Sequence, residues 1–220
     1  MNILQVINNL ELAGAERLLH DLCLEFQRRG IRVSVFLLNA TGSPFEKRLR
    51  DHAVPVFSSG VPQLHSPVHA LRLSEHLRRH RYGIVHAHLF PTQLWTAMAR
   101  RWSSSSARFI ASEHSFTTRR RRRFARPFDA WLYGQFDAVC CVSEAAAASF
   151  LAWLPEYRDR TLAIPNGFDT HRFAERQAHD VKRTRILSVG RCEQVKRHEE
   201  LFAHIGDDRF KDPLHFALTK

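Results

Sequence analysis

Asn2-Ile3-Leu4-Gln5-Val6-Ile7-Asn8-Asn9, followed by Ala13-Gly14-Ala15-Glu16 and closed by Gly30, is the stretch whose reading decides the fold. Ile3, Leu4, Val6 and Ile7 make a short apolar run, as expected of a strand buried on both faces. Asn8 and Asn9 end it, and the small residues around Gly14 turn the chain into a helix. Leu18, Leu19, Leu22 and Phe26 repeat at helical spacing, and Gly30 stops that helix after Arg28 and Arg29. Small residues at such a turn let a ligand approach the backbone, and a helix N-terminus presents N–H groups to an anion. Gly14 therefore reads either as part of a phosphate-facing loop or as a residue that merely eases a turn. The segment lacks the three-glycine dinucleotide fingerprint, so the loop alone leaves both readings open.

The alternation begun here continues. Segments 33–38, 54–57, 84–87, 108–111, 138–142 and 162–164 read as strands. Helical patterns lie between them at 45–50, around 71–79, from Pro91 to Trp102, at 128–136 and from the N-cap Ser143 to Trp153. Leu71, Leu73 and Leu77 are expected on the buried face of one helix, and Leu94, Trp95, Met98 and Trp102 on that of another. Such alternation implies an α/β fold, a Rossmann-like doubly wound parallel sheet with helices on both faces. Right-handed crossovers put the strand C-termini along one edge, where ligands of such sheets bind. Gly14, His88, His114 and Ser143 all fall there. Pro165-Asn166-Gly167 marks a break, so the first domain is assigned to 1–168, a polar linker to 169–184, and the start of an incomplete second Rossmann-like domain to 185–220.

With 220 residues, 44% of them hydrophobic, the chain can bury one good core. The formal charge of +11 suits an anionic partner without choosing one. Cys23, Cys140, Cys141 and Cys192 lack metal-ligand spacing and fit a reducing cytoplasm. The apolar N-terminal run is too short for a secretion signal, and 138–154 reads as a strand and a capped helix in preference to a membrane span.

His86 and His88 flank Ala87 and are read as diverging to opposite faces, His86 structural and His88 lining the cleft. A third metal ligand is not evident in sequence, so no metal is expected. Arg119, Arg120, Arg121, Arg122 and Arg123, followed by Phe124, suit an anionic membrane surface, with a solvated loop as the bland reading. No recognition helix or RNA platform accompanies them, so nucleic acid is not expected as a partner. Arg191 and Lys196 flank a turn that opens a helix and could together hold an anion.

These pieces resemble retaining glycosyltransferases of the GT-B fold, specifically family 4. The segments that carry the likeness are Ala13-Gly14-Ala15-Glu16, Val85-His86-Ala87-His88, Ser112-Glu113-His114-Ser115, Val142-Ser143-Glu144, Ile164-Pro165-Asn166-Gly167-Phe168-Asp169, and Val189-Gly190-Arg191 with Lys196. The resemblance implies a nucleotide-sugar donor, a glycan or lipid-linked acceptor and no cofactor or metal. It places Gly14, Arg191 and Lys196 at the donor diphosphate, His114 as the catalytic residue beside the transferred sugar, and Glu16, His88, Ser143 and Glu144 along the acceptor cleft. The implied setting is cytoplasmic, on the inner face of the plasma membrane if the arginine run docks there. Ala13 replaces the usual first glycine of the loop, and Arg197 follows Lys196 where glycine is frequent. The rival reading is a non-catalytic relic or accessory module that binds a partner, glycan or membrane.

Overall fold

A computed structural model of the chain describes residues 1–114 and 121–167. The chain divides into two compact units, Met1–Phe168 and Asp169–Lys220, and every described residue lies in the first. The expected linker and second domain lie outside the described residues.

One seven-stranded sheet organises the first unit. Its strands are β1 (Asn2–Ile7), β2 (Arg32–Leu37), β3 (Val56–Ser58), β4 (Ile84–His88), β5 (Arg108–Glu113), β6 (Ala138–Cys141) and β7 (Thr161–Ala163). All pairs are parallel, in the order β3-β2-β1-β4-β5-β6-β7. The chain thus builds outward from β1 to β3, crosses back, and builds outward again from β4 to β7.

Strand alternation divides the core between the two faces. Leu4, Val6, Val85, Ala87, Phe109, Ala111, Val139 and Cys141 pack on one side with α3 (Val68–Arg79), α4 (Thr92–Ser103), α5 (Arg126–Gly134) and α6 (Glu144–Trp153). Ile3, Ile7, Val33, Val35 and Leu37 pack on the other with α1 (Gly14–Arg28) and α2 (Pro44–Asp51). Phe109, Phe136 and Phe150 are the largest fully buried side chains. The doubly wound α/β reading is therefore correct for this unit.

The departures are local. Strand β5 continues to Glu113 because Ser112 and Glu113 pair with Cys140 and Cys141 of β6. Strand β3 begins only at Val56, since Val54 is already committed to closing the turn after α2 through its N–H to Leu49 O. Helix α3 turns Ala70, Leu73 and Leu77 inward, and that phase leaves Leu71 in solvent. In α4 the buried face is Trp95, Ala97 and Ala99, while Trp102, at the helix end, is 39% exposed. Of the apolar residues expected to stripe α1, only Leu19 is fully buried; Leu18, Leu22 and Phe26 are half-buried, and Cys23 completes the inner face. Residues 138–154 form β6 and α6 as expected, and among the described residues no helix is long and apolar enough to cross a membrane.

Candidate functional site

Strand order reverses between β1 and β4, so the loops that leave these neighbours pass to opposite faces and open a crevice at their carboxyl ends. Asn8, just past β1, clamps the two loops together. Its Nδ2 donates to Phe90 O at 3.2 Å, and its Oδ1 accepts from Thr92 Oγ1 at 2.5 Å. Gly14 is exposed at the start of α1, after an extended Ala13 whose side chain supplies no cap. Helices α2 and α6 are instead capped by Ser43 and Ser143. Among the described residues a Cβ added at Gly14 would meet no atom within 4 Å, so packing within them does not require glycine there. Glu16 is buried in the first turn of α1, whereas Glu144 is exposed in the first turn of α6.

The floor of the crevice is a row of polar side chains on one face of the sheet. Gln5 pairs in register with His86, and His88 with Ser112. His86 and His88 do not diverge: residues two apart share a strand face, and β4 persists through His88, so the rings meet with centroids 4.1 Å apart. His86 Nε2 lies 2.8 Å from Ser112 Oγ. His88 is buried, with Nε2 2.7 Å from Gln5 Oε1 and Nδ1 3.1 Å from His114 Nε2. Burial holds the His114 imidazole down to about 4. It pushes His88 well below the ordinary histidine range, with His86 and His114 adding to the effect, and takes His86 down to about 3. All three imidazoles are neutral at physiological pH. Among the described residues no three His, Cys, Asp or Glu side chains are arranged to share a metal ion.

The side chain of Glu113 faces the opposite way, into the core. Its Oε1 accepts from Tyr133 OH and, at 3.0 Å, from Gln93 Nε2. Its Oε2 lies 3.6 Å from an Arg121 nitrogen, and Arg121 also donates to Ser149 Oγ. This corrects the uniform reading of the arginine run. Arg121 turns inward to balance a buried carboxylate, because an uncompensated charge there would be costly. Arg122 and Arg123 are exposed, and Phe124 is 80% exposed. Phe128 and Trp131 follow at helical spacing, both partly exposed, with ring centroids 6.1 Å apart.

The structure thus brings His88 and His114 into contact and sets Gly14 and Ser143 on the same sheet edge, at the ends of β1 and β6. Neighbouring strands are about 4.8 Å apart, so the three steps from β1 to β6 span roughly 14 Å, a groove too wide for one small ion. Arg119, Arg120, Arg191 and Lys196 lie outside the described residues. Sequence reasoning missed Gln5, Asn8, Gln93 and Tyr133. Of these only Gln5 carried a signal, as the one polar residue inside an apolar strand. A cavity of about 480 Å³, lined by Asn2, Arg32, Ser34 and Pro55 among others, opens at the opposite edge, where β1 to β3 begin. None of the chemistry above lies there, and we place no site in it.

A parallel sheet with a polar crevice where its strand order reverses defines a ligand-binding domain of the Rossmann-like class. Residues 12–172 match the sequence profile of Glycosyltransferase Family 4, and the chain belongs to that family. No curated protein sequence matches it significantly. Among solved structures, HepE of Anabaena in complex with UDP-glucose is similar over all of this chain and 69% of its own length, with TM-score 0.67 and 17% identity. The lipopolysaccharide outer core galactosyltransferase WaaB in its apo form is similar over 100% of this chain and 68% of its own, with TM-score 0.70 and 12% identity. A glycosyltransferase from Rickettsia africae matches with the same score, identity and shares. At these identities the likeness is one of fold.

The buried imidazoles make stability depend on pH. In the unfolded chain they take up protons below about pH 6.5, whereas in the folded chain His114 resists until about 4 and burial likewise holds His88 well below its ordinary range. Between pH 6.5 and 4 the unfolded state therefore binds more protons, and stability falls as the solution is acidified. The slope reaches about 1.4 kcal/mol per pH unit for each imidazole that stays neutral. His76, held down to about 4 by burial, adds to it. Urea midpoints measured at pH 7, 6 and 5 are expected to fall steadily, and to fall less in His88→Gln; a flat profile contradicts the neutral-imidazole assignment.

Proposed function

We propose that the chain acts in transfer of a sugar from a nucleotide-sugar donor to a glycan or lipid-linked acceptor, with retention of configuration and without a metal ion. The observation that carries the reading is the His88–His114 pair beside the β1–β4 crevice, in a member of Glycosyltransferase Family 4. The bond between the anomeric carbon and the diphosphate breaks, the acceptor oxygen takes its place, and the acceptor proton leaves with the diphosphate. Gly14 and the uncapped start of α1 face the donor phosphates, with Arg191 and Lys196 offsetting the charge that builds on the leaving group. His114, neutral, contacts a hydroxyl of the transferred sugar. Glu16, His88, Ser143 and Glu144 border the acceptor. The UDP-glucose bound by HepE supports a sugar nucleotide as donor.

Arg122, Arg123 and Phe124, with Phe128 and Trp131, form the surface by which the protein rests on an anionic membrane in the cytoplasm. Their exposure supports this assignment, and Arg121 is removed from it.

Turnover of UDP- and GDP-sugars by the wild-type chain and His114→Ala tests the assignment. The substitution is expected to lower kcat by on the order of 100-fold while donor binding changes little. Undiminished turnover removes His114 from the site, and absence of any saturable sugar-nucleotide binding favours the non-catalytic reading. Sedimentation with vesicles containing anionic lipid is expected to weaken in Arg122→Glu/Arg123→Glu, by about 1 kcal/mol for each lost cation and more for the reversed charge. Equal sedimentation of variant and wild type, or none by either, rejects the membrane surface.

A further inference from the structure

We propose that Gln5 and His88 are positioning residues that lock His114 in its Nε2–H tautomer, leaving His114 Nδ1 as the nitrogen that accepts a hydrogen bond from a substrate hydroxyl. The substrate part of this inference rests on the function proposed above. The tautomer part rests on the hydrogen-bond geometry together with the neutrality of the two buried rings.

The chain of inference starts from the Gln5 carboxamide, whose oxygen faces His88. A carboxamide oxygen can only accept, so the 2.7 Å contact between Gln5 Oε1 and His88 Nε2 requires the proton to be on His88 Nε2. A neutral imidazole carries one N–H, so His88 Nδ1 holds a lone pair. The 3.1 Å contact of that nitrogen with His114 Nε2 is then a hydrogen bond only if His114 Nε2 donates. His114, itself neutral, is left with a bare Nδ1. Three side chains from β1, the end of β4 and the end of β5 thus transmit one polarity across two strand boundaries, and the last nitrogen in the series, His114 Nδ1, carries a lone pair.

Two further features fit this role. Gln5 is fully buried in the middle of an apolar strand, and among the described residues its Nε2 finds no hydrogen-bond partner. The amide is thus held through its oxygen, the atom that sets His88. His86, packed against His88, is engaged through Nε2 with Ser112 Oγ, so it leaves the His88 nitrogens to Gln5 and His114. The other hydrogen-bonding polarity would have Gln5 Nε2 donate to His88 and would leave His114 presenting Nδ1–H. The two arrangements have opposite consequences: one accepts from a hydroxyl and the other donates to an oxygen.

Long-range proton–nitrogen spectra of the 15N-histidine-labelled chain at neutral pH read the tautomer directly, with His114 assigned by its loss in His114→Ala. His114 is expected to show a protonated Nε2 and an unprotonated Nδ1 in the wild type. Gln5→Glu, which keeps an accepting oxygen, is expected to preserve that form, and Gln5→Leu to replace it by a mixture of both tautomers. A wild-type His114 protonated at Nδ1 overturns the proposal without any variant being needed, as does a Gln5→Leu spectrum unchanged at His114. The readout needs no substrate. If the wild-type and variant tautomers are as expected but sugar transfer is absent, the relay stands and the function assigned to the crevice falls.

Discussion

The contact between Gln5 of β1 and His88 of β4 joins the two halves of a sheet that was built in opposite directions. At that boundary the helices switch faces, and the loops leaving β1 and β4 part to either side of the sheet. The chain places a carboxamide and an imidazole there, continues the polar row to Ser112 and His114, and ties the loops above with Asn8. Each member is held by partners on a neighbouring strand, so the site inherits the rigidity of the sheet and not the mobility of a loop.

Keeping such a row buried carries a cost. An orphaned amide such as Gln5 Nε2 costs on the order of 1–3 kcal/mol, and neutral buried imidazoles give up stability in acid. The two apolar cores above and below the sheet offset this. Beneath the crevice, the Glu113–Arg121 pair anchors the carboxyl end of β5 to α6 through Ser149 and to α5 through Tyr133. His114 extends from a strand end fixed on both faces. The same contact separates the arginine run into one structural residue and the exposed Arg122 and Arg123.

The doubly wound sheet was legible in the sequence because apolar strand runs and helical stripes repeat with different periods. The shared ligand edge followed from the topology those periods imply. What was not legible depends on partners distant in the chain. Gln5 looked like an interruption in an apolar run until His88, 83 positions away, was set beside it. Five consecutive arginines have no periodicity to single out Arg121, whose role is defined by Glu113 across the fold. The pairing of His86 with His88 follows from the two-residue strand period, which puts residues two apart on one face for as long as the strand lasts, and the expected divergence ran against that period. Leu71 and Trp102 were misplaced because helix phase is settled by the neighbours that a helix meets and not by its own leucines and tryptophans.

The central claim is that ligand chemistry belongs to the carboxyl edge where β1 meets β4. Backbone amide shifts of the 15N-labelled chain titrated with UDP-glucose test it most directly. The account predicts that saturable changes concentrate at Asn8, Gly14, His88, Leu89 and His114. Changes confined to residues 30–34 and 53–55, around the cavity at the opposite edge, would contradict it.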